Sequence, residues 1–335
     1  MRFILYKGDF LGYIPQTDLA PEARELATAN EGRLKDVTAK TRREAGALIT
    51  ELNIKNGAGA AAMGRPVGKY YTMELDKLPQ EADESFEEIV AVIGGIIRSL
   101  LPESDIIAAG VGNLAVTPDA LGPKVMTRVL VTRHITAKGG DWAGLFRSVT
   151  AIKPGVLGQT GVESAEVVAG VAKMINPAAV IAVDALAARR LDRLGRTVQI
   201  TDTRIHPGAG IGNHRQALLR ETLGVPVIGI GVPTVIVAST LISDEMAEMV
   251  SRPHGGQATD DNSAQPCGAK LPDTKTQGEY SDLFVTLRDI DTVIDRMSVL
   301  IGFSINHALQ KKSLSKRYAL LRLLDKKVDK TLKKW

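Results

Sequence analysis

The sequence predicts an α/β fold, a mostly parallel central sheet covered by helices. Three observations carry that expectation. Short β-branched apolar runs alternate with segments of helical periodicity through the middle of the chain. Apolar residues make up 44% of 335 residues and the net charge is only +4, so the chain can bury a large core and is not disordered. The better apolar runs end in loops rich in glycine and polar residues, which is where open α/β sheets gather their ligands.

Taken in order, strands are expected at Asp105–Gly110, Arg128–Thr132 (open to being a helix end instead), Val180–Val183, Thr197–Thr201 and Val225–Gly231. Helices are expected at Ser85–Leu101, Thr117–Met126, Glu163–Met174, His214–Leu223 and Leu287–Leu309. Leu223–Ser243 carries no charge over 21 residues, a length that could span a membrane. Pro226, Pro233 and the glycines at 224, 229 and 231 interrupt it, which favours a buried strand, a turn and a second apolar element. Ser251–Ser281 lacks periodicity and reads as a long surface insertion. One domain over 17–335 is simpler than two.

Composition excludes several classes. The single cysteine, Cys267, rules out an internal disulfide framework or a cysteine zinc site and fits a reducing compartment. No export signal is expected, because the apolar stretch Phe3–Tyr6 stops at Lys7. From Ala308 to Trp335 there are ten Lys or Arg and two Asp, leaving 32 basic and 36 acidic residues in 1–307. That tail has Leu314, Tyr318, Leu321, Leu324 and Val328 at helical spacing, the pattern of a basic amphipathic helix. Packing on the domain explains it, as does contact with an acidic partner; direct nucleic-acid binding is not expected.

Chemistry concentrates in four loops. Ile106–Gly110 enters Gly110-Val111-Gly112-Asn113, and Thr117, Pro118 and Asp119 follow as cap, first position and first-turn acid of a helix. Asp119 is either a capping acid or a functional one. Gly110-x-Gly112-x-x-Ala115 also meets a dinucleotide fingerprint, but the helix signals sit several residues late. Asp184 ends the run Ala178–Val183, and an acid leaving a buried strand needs partners, unless it only caps a helix that follows. Neighbouring strands here would bring Asp119 and Asp184 to one sheet edge. Two carboxyls sharing a site hold one proton between them, supplying an acid and a base for amide hydrolysis through water. Asn113, Gln159, Thr160, Asp202 and His206 are further polar groups on such loops. The five histidines show no His-x-x-x-His spacing and no Gly-x-Ser-x-Gly elbow occurs, so neither a metal nor any other cofactor is expected.

Read together, these blocks resemble the germination protease family of spore-forming bacteria. The matching segments are Thr17–Ala23, Gly110–Asn113 with Val116–Pro123, Thr132–His134, Pro154–Gly161, Asp184–Arg189, Thr201–Thr203, Ile205–Gly208, Gly231–Thr234 and Phe284–Thr286. The resemblance implies an atypical aspartic endopeptidase of the cytoplasm (forespore and spore core), with a phosphorylase/hydrolase-like fold, that initiates degradation of small acid-soluble spore proteins. It implies a zymogen and a homotetramer, and places the catalytic pair on Asp119 and Asp184. Residues 1–16 would form a propeptide, with cleavage around Gln16, Thr17, Asp18 and Leu19. More distantly, the Gly-x-Gly-Asn turn and following acid are similar to those of hydrogenase maturation endopeptidases, whose carboxylates engage a metal. Arg204 stands where the family usually has glycine, and Val237 where an acid is common. The alternative from another class is a metal- or nucleotide-binding α/β module without peptidase activity.

Overall fold

The computed structural model describes residues 16–32, 34–81, 83–137, 146–203, 216–242, 244 and 283–310. The expected tail helix beyond 310, the 251–281 insertion and residues 1–15 of the expected propeptide lie outside them.

One nine-stranded sheet organises the chain. In chain order its strands are β1 (Val37–Glu44), β2 (Ala47–Ile54), β3 (Gly68–Leu75), β4 (Ile106–Val111), β5 (Val149–Gly155), β6 (Ala179–Ala188), β7 (Thr197–Thr201), β8 (Val227–Val237) and β9 (Phe284–Val285). The spatial order is β1-β2-β3-β7-β8-β6-β4-β5, with β9 on β8. β8, β6, β4 and β5 run parallel. The β1-β2, β2-β3, β3-β7, β7-β8 and β8-β9 pairings are antiparallel. The α/β class stands, whereas the mostly parallel sheet is corrected to a mixed one: the parallel part is one half.

Helices cover both faces. On one face α3 (Ser85–Leu100), α4 (Leu121–Met126) and α9 (Ile290–Leu309) pack Ile93, Ile97, Leu121, Ile294 and Leu300 against Ile106, Ile181 and Ile230. On the other, α7 (Ser164–Ile175) and α8 (Arg220–Leu223) cover the parallel half. There α1 (Ala20–Glu31) and α2 (Gly57–Met63) cover β2 and β3. Short helices α5 (Arg133–Thr136) and α6 (Leu157–Thr160) sit in loops. Among the described residues no helix is long and apolar enough to cross a membrane.

Several expected elements change. Arg128–Thr132 is not a strand; the Leu130 N–H is taken by Asn306 Oδ1 at 2.8 Å and the Thr132 N–H by the Val149 carbonyl at 3.0 Å. The described part of His214–Leu223 is helical only at Arg220–Leu223. β8 passes straight through Pro233. A proline N lacks a ladder hydrogen, and the β6-β8 register shifts at Leu186/Ala187, beside it, the kind of irregularity that admits proline inside a sheet.

Candidate active site

β4 is buried along its whole length, and its end is shaped by glycines. A Cβ on Gly110 would stand 2.1 Å from the Gly122 carbonyl oxygen, and one on Gly122 would stand 2.2 Å from that of Val111 and 2.5 Å from that of Val183. The first turn of α4 therefore rests directly on the backbones of β4 and β6. Gly112, at φ +122°, turns the chain away where a Cβ would meet the Asp119 carbonyl at 2.0 Å. The expected helix from Thr117 is a 3-10 turn, Thr117–Asp119, followed by α4. That turn lies against β6 and β8.

Asp119 is held from behind. The Asn113 N–H donates to Asp119 Oδ2 at 2.9 Å and to its carbonyl at 3.1 Å. Asn113 Oδ1 accepts from the Ala115 N–H at 2.9 Å and from Gln159 Nε2 at 2.6 Å. Asn113 and Gln159, from the loops after β4 and β5, thus brace one carboxylate. Thr160 acts locally: its hydroxyl donates to the Val162 carbonyl at 2.9 Å and accepts the Val162 N–H at 3.2 Å.

Asp184 lies within β6 rather than at its end, because the strand continues to Ala188, so helix capping is not its role. Its side chain is 1% exposed. Gly110 pairs with Val183, which sets Asp184 level with Val111, the last residue of β4. Asp119, in the turn that follows β4, and Asp184, in the adjacent strand β6, flank the point where β4 stops. Asp184 is also level with Gly231 and, across β8, with Gln199 and Thr72. Asp184, Gln199 and Thr72 form a buried polar row on one face. Gln199 was not singled out from sequence, although a lone amide between Val198 and Ile200 is the same signal as the acid in β6.

Asp202 does not join this edge. β7 is antiparallel to β8, so its end leaves on the other side of the sheet, where Asp202 Oδ1 accepts the Lys69 N–H at 2.8 Å. His206 lies outside the described residues. A cavity of about 1010 Å³ opens beside Asp105 and Ser148, at the amino edge of β4 and β5, and is lined by Arg98, Arg133 and Arg147. It is remote from both aspartates' edge. Among the described residues no group of three or more His, Cys, Asp or Glu could hold a metal ion.

The segment Gln16–Leu19 crosses the polar row. Gln199 Nε2 donates to the Asp18 carbonyl at 2.8 Å, and its Oε1 accepts the Ala20 N–H at 2.6 Å. Asp18 pairs with Ala187, its N–H donating to that carbonyl at 2.9 Å and its Oδ2 accepting that N–H at 2.8 Å. Leu19 is fully buried with Leu186, Ala188, Leu194 and Ile236. The Thr17 carbonyl takes a hydrogen bond from Arg65, and the Gln16 N–H donates to Thr240 at 3.2 Å.

Beside this segment stands Glu22, fully buried. It accepts from the Thr17 hydroxyl, from the Arg189 N–H at 2.7 Å and from the Arg190 N–H at 3.1 Å, with Arg193 3.3 Å away. Burial pushes its carboxyl above the ordinary value, and the Thr17, Arg189, Arg193 and Arg190 contacts oppose that only in part. Arg193 also faces Glu25 at 2.8 Å and Glu74 at 3.4 Å. Burial disfavours its charge, but these carboxylates outweigh it and hold the guanidinium firmly protonated.

The carboxyl edge of the parallel strands, with one carboxylate on the turn after β4 and another buried within neighbouring β6, is the kind of place where open α/β sheets gather their ligands. The comparisons with known proteins name the family. The germination protease family model matches residues 14–280. Germination protease of Caldanaerobacter subterraneus subsp. tengcongensis is 40% identical over 311 residues, covering 88% of this chain and 94% of its own. That of Clostridium tetani is 38% identical (88% and 95% covered), and that of Priestia megaterium 39% (82% and 77%). The chain belongs to the germination protease family and is a peptidase. A module without peptidase activity is not favoured.

Proposed function

We propose that this chain is the endopeptidase that begins degradation of small acid-soluble spore proteins during germination, using a water activated between Asp119 and Asp184. The observation that carries the reading is that the two acids, 65 positions apart in sequence, flank the single point where β4 ends. One carboxylate, ionised, takes a proton from water as its oxygen attacks the peptide carbonyl. The other, protonated, donates toward the carbonyl oxygen and then the leaving nitrogen. Asn113 and Gln159 keep Asp119 oriented, and the glycine-lined edge lets a substrate backbone approach. The resemblance further supports a zymogen cut within Gln16–Leu19, a homotetramer, and a cytoplasmic location in the spore core.

The test is incubation with a purified small acid-soluble spore protein and mass mapping of the products. The wild-type chain is expected to give discrete fragments, whereas Asp119→Asn and Asp184→Asn, folded normally by circular dichroism, give none. Near-normal cleavage by either variant overturns the dyad. Light scattering of the purified chain checks the tetramer.

A further inference from the structure

We propose that Glu22 is the receptor for the α-ammonium group of Leu19, formed when the Asp18–Leu19 bond is hydrolysed. The inference rests on the peptidase reading and the processing proposed above, and says what the new N-terminus binds. Within Gln16–Leu19, the Asp18–Leu19 peptide is the one whose carbonyl is held by Gln199, level with Asp184 across the sheet. The chain is extended there, with Leu19 at φ −83° and ψ 127°. Hydrolysis adds the water oxygen to the Asp18 carbonyl carbon and breaks its bond to nitrogen. Asp18 leaves with a new carboxylate, and Leu19 keeps an amine that takes up a proton, since an α-amine titrates near 8.

In the uncut chain the Leu19 N–H donates to the Thr17 hydroxyl at 3.0 Å, and that hydroxyl donates to Glu22 Oε2. One hydroxyl therefore separates the future amine from the buried carboxylate. Cleavage removes Thr17 and leaves Oε2 without that donor. The amine is the nearest replacement, and it cannot swing away. The Leu19 side chain is buried among Leu186, Ala188, Leu194 and Ile236, the Ala20 N–H is on Gln199, and the Leu19 carbonyl accepts the Ala23 N–H at 3.0 Å.

Charge favours the exchange. The fully buried Glu22 shares the Arg193 guanidinium with Glu25 and Glu74, so a further cation beside it would pair with a desolvated carboxylate whose own cation is divided among three acids. Glu22 also receives the Arg189 and Arg190 N–H groups that follow β6. The new ion pair would tie the cut end to the strand that carries Asp184.

The experiment uses the full chain in an Asp184→Asn background, with a factor Xa recognition sequence replacing Pro15–Asp18, folded first and then cut to expose Leu19. A second form is cut one residue earlier, leaving a glycine ahead of Leu19. Acylation of the α-amine is followed by mass spectrometry. An ammonium paired with a carboxylate has its pKa raised by one unit or more, so the Leu19 amine is expected to react about tenfold more slowly than the glycine-extended one. Adding Glu22→Gln should erase the difference. Equal reactivity of the two cut forms overturns the proposal without needing the Glu22 variant to fold. N-terminal sequencing of self-processed wild-type chain that begins elsewhere than Leu19 also overturns it, while leaving the peptidase reading intact. Failure of that reading shows separately, as absence of spore-protein cleavage.

Discussion

On the parallel half of the sheet the acids stand among glycines, and on the antiparallel side Glu22 stands among cationic residues and N–H donors. Asp119 and Asp184 are flanked by Gly110, Gly112 and Gly122, where backbone packs on backbone, and by Gly231, where the Leu186 side chain packs on the strand. Glu22 is clamped by a hydroxyl, two backbone N–H groups and the Arg193 guanidinium. The contrast separates two uses of a buried carboxylate. A carboxylate surrounded by donors is fixed and joins elements together, here α1 to the end of β6. At the parallel edge the carboxylates stand where glycines let α4 and the turn after β4 sit directly on the strands, so close backbone packing sets their positions.

The largest expected effect tests whether the first pair acts as a unit. Each Asp→Asn change should lower turnover by roughly 10²–10⁴-fold, and the double Asp119→Asn, Asp184→Asn variant should be little worse than the poorer single one. Multiplying losses in steady-state assays would show two independent roles and break the comparison.

Next comes the glycine packing itself. Gly122→Ala puts a methyl 2.2 Å and 2.5 Å from two backbone oxygens, so α4 must lift from the strand ends. A loss of about 1–3 kcal/mol or more is expected in urea melts, together with activity. Gly170, inside α7 with nothing within 4 Å of an added Cβ, should behave oppositely. Gly170→Ala should stabilise by about 0.5–1 kcal/mol, because only helix propensity changes.

Of the parallel strands, β4, β6 and β8 were legible because they carry unbroken apolar runs, whereas β5 was not, its Val149–Gly155 being interrupted by Thr150, Lys153 and Pro154; on the antiparallel side Thr197–Thr201 agrees to the residue. β1 was not legible because most of Val37–Glu44 is exposed and half of it is charged, with no apolar face to set a period of two. β2 and β3 carry partial alternation broken by Thr, Glu, Asn and Lys, and in their absence the sheet seemed mostly parallel. The same omission hid the direction of β7, and with it the removal of Asp202 to the far edge. The Asp119 loop was visible through its glycines. Glu22 was not: in Ala20-Pro21-Glu22-Ala23 it looks like any first-turn acid, and its burial depends on Arg193, 171 residues away.

A smaller effect sharpens the other side. Because burial holds the Glu22 carboxyl above its ordinary value of 4.5, between 4.5 and the raised value the folded chain keeps a proton that the unfolded chain has released. This group therefore makes stability fall as pH rises through that window, by no more than about 1.4 kcal/mol per pH unit. Wild type minus Glu22→Gln, from urea melts between pH 4 and 8, should show that negative slope. A flat or rising difference would mean that the cationic and N–H donors, rather than burial, set the carboxyl's affinity for its proton.

The smallest effect comes from a pair with the same chemistry but no burial. Arg43 meets Asp76 at 3.0 Å through two hydrogen bonds, yet their side chains are 66% and 52% exposed. Water and salt screen such a pair, and ordering two mobile side chains offsets most of the attraction. Arg43→Ala should change stability by less than about 1 kcal/mol, and by less still at 1 M salt. Removing the guanidinium of Arg193, whose side chain is 9% exposed, leaves Glu22 buried without its cation and should cost about 3–5 kcal/mol. If the two arginines proved equal in urea melts, the donors around Glu22 would be as replaceable as surface ions, and burial would not be what fixes this carboxylate.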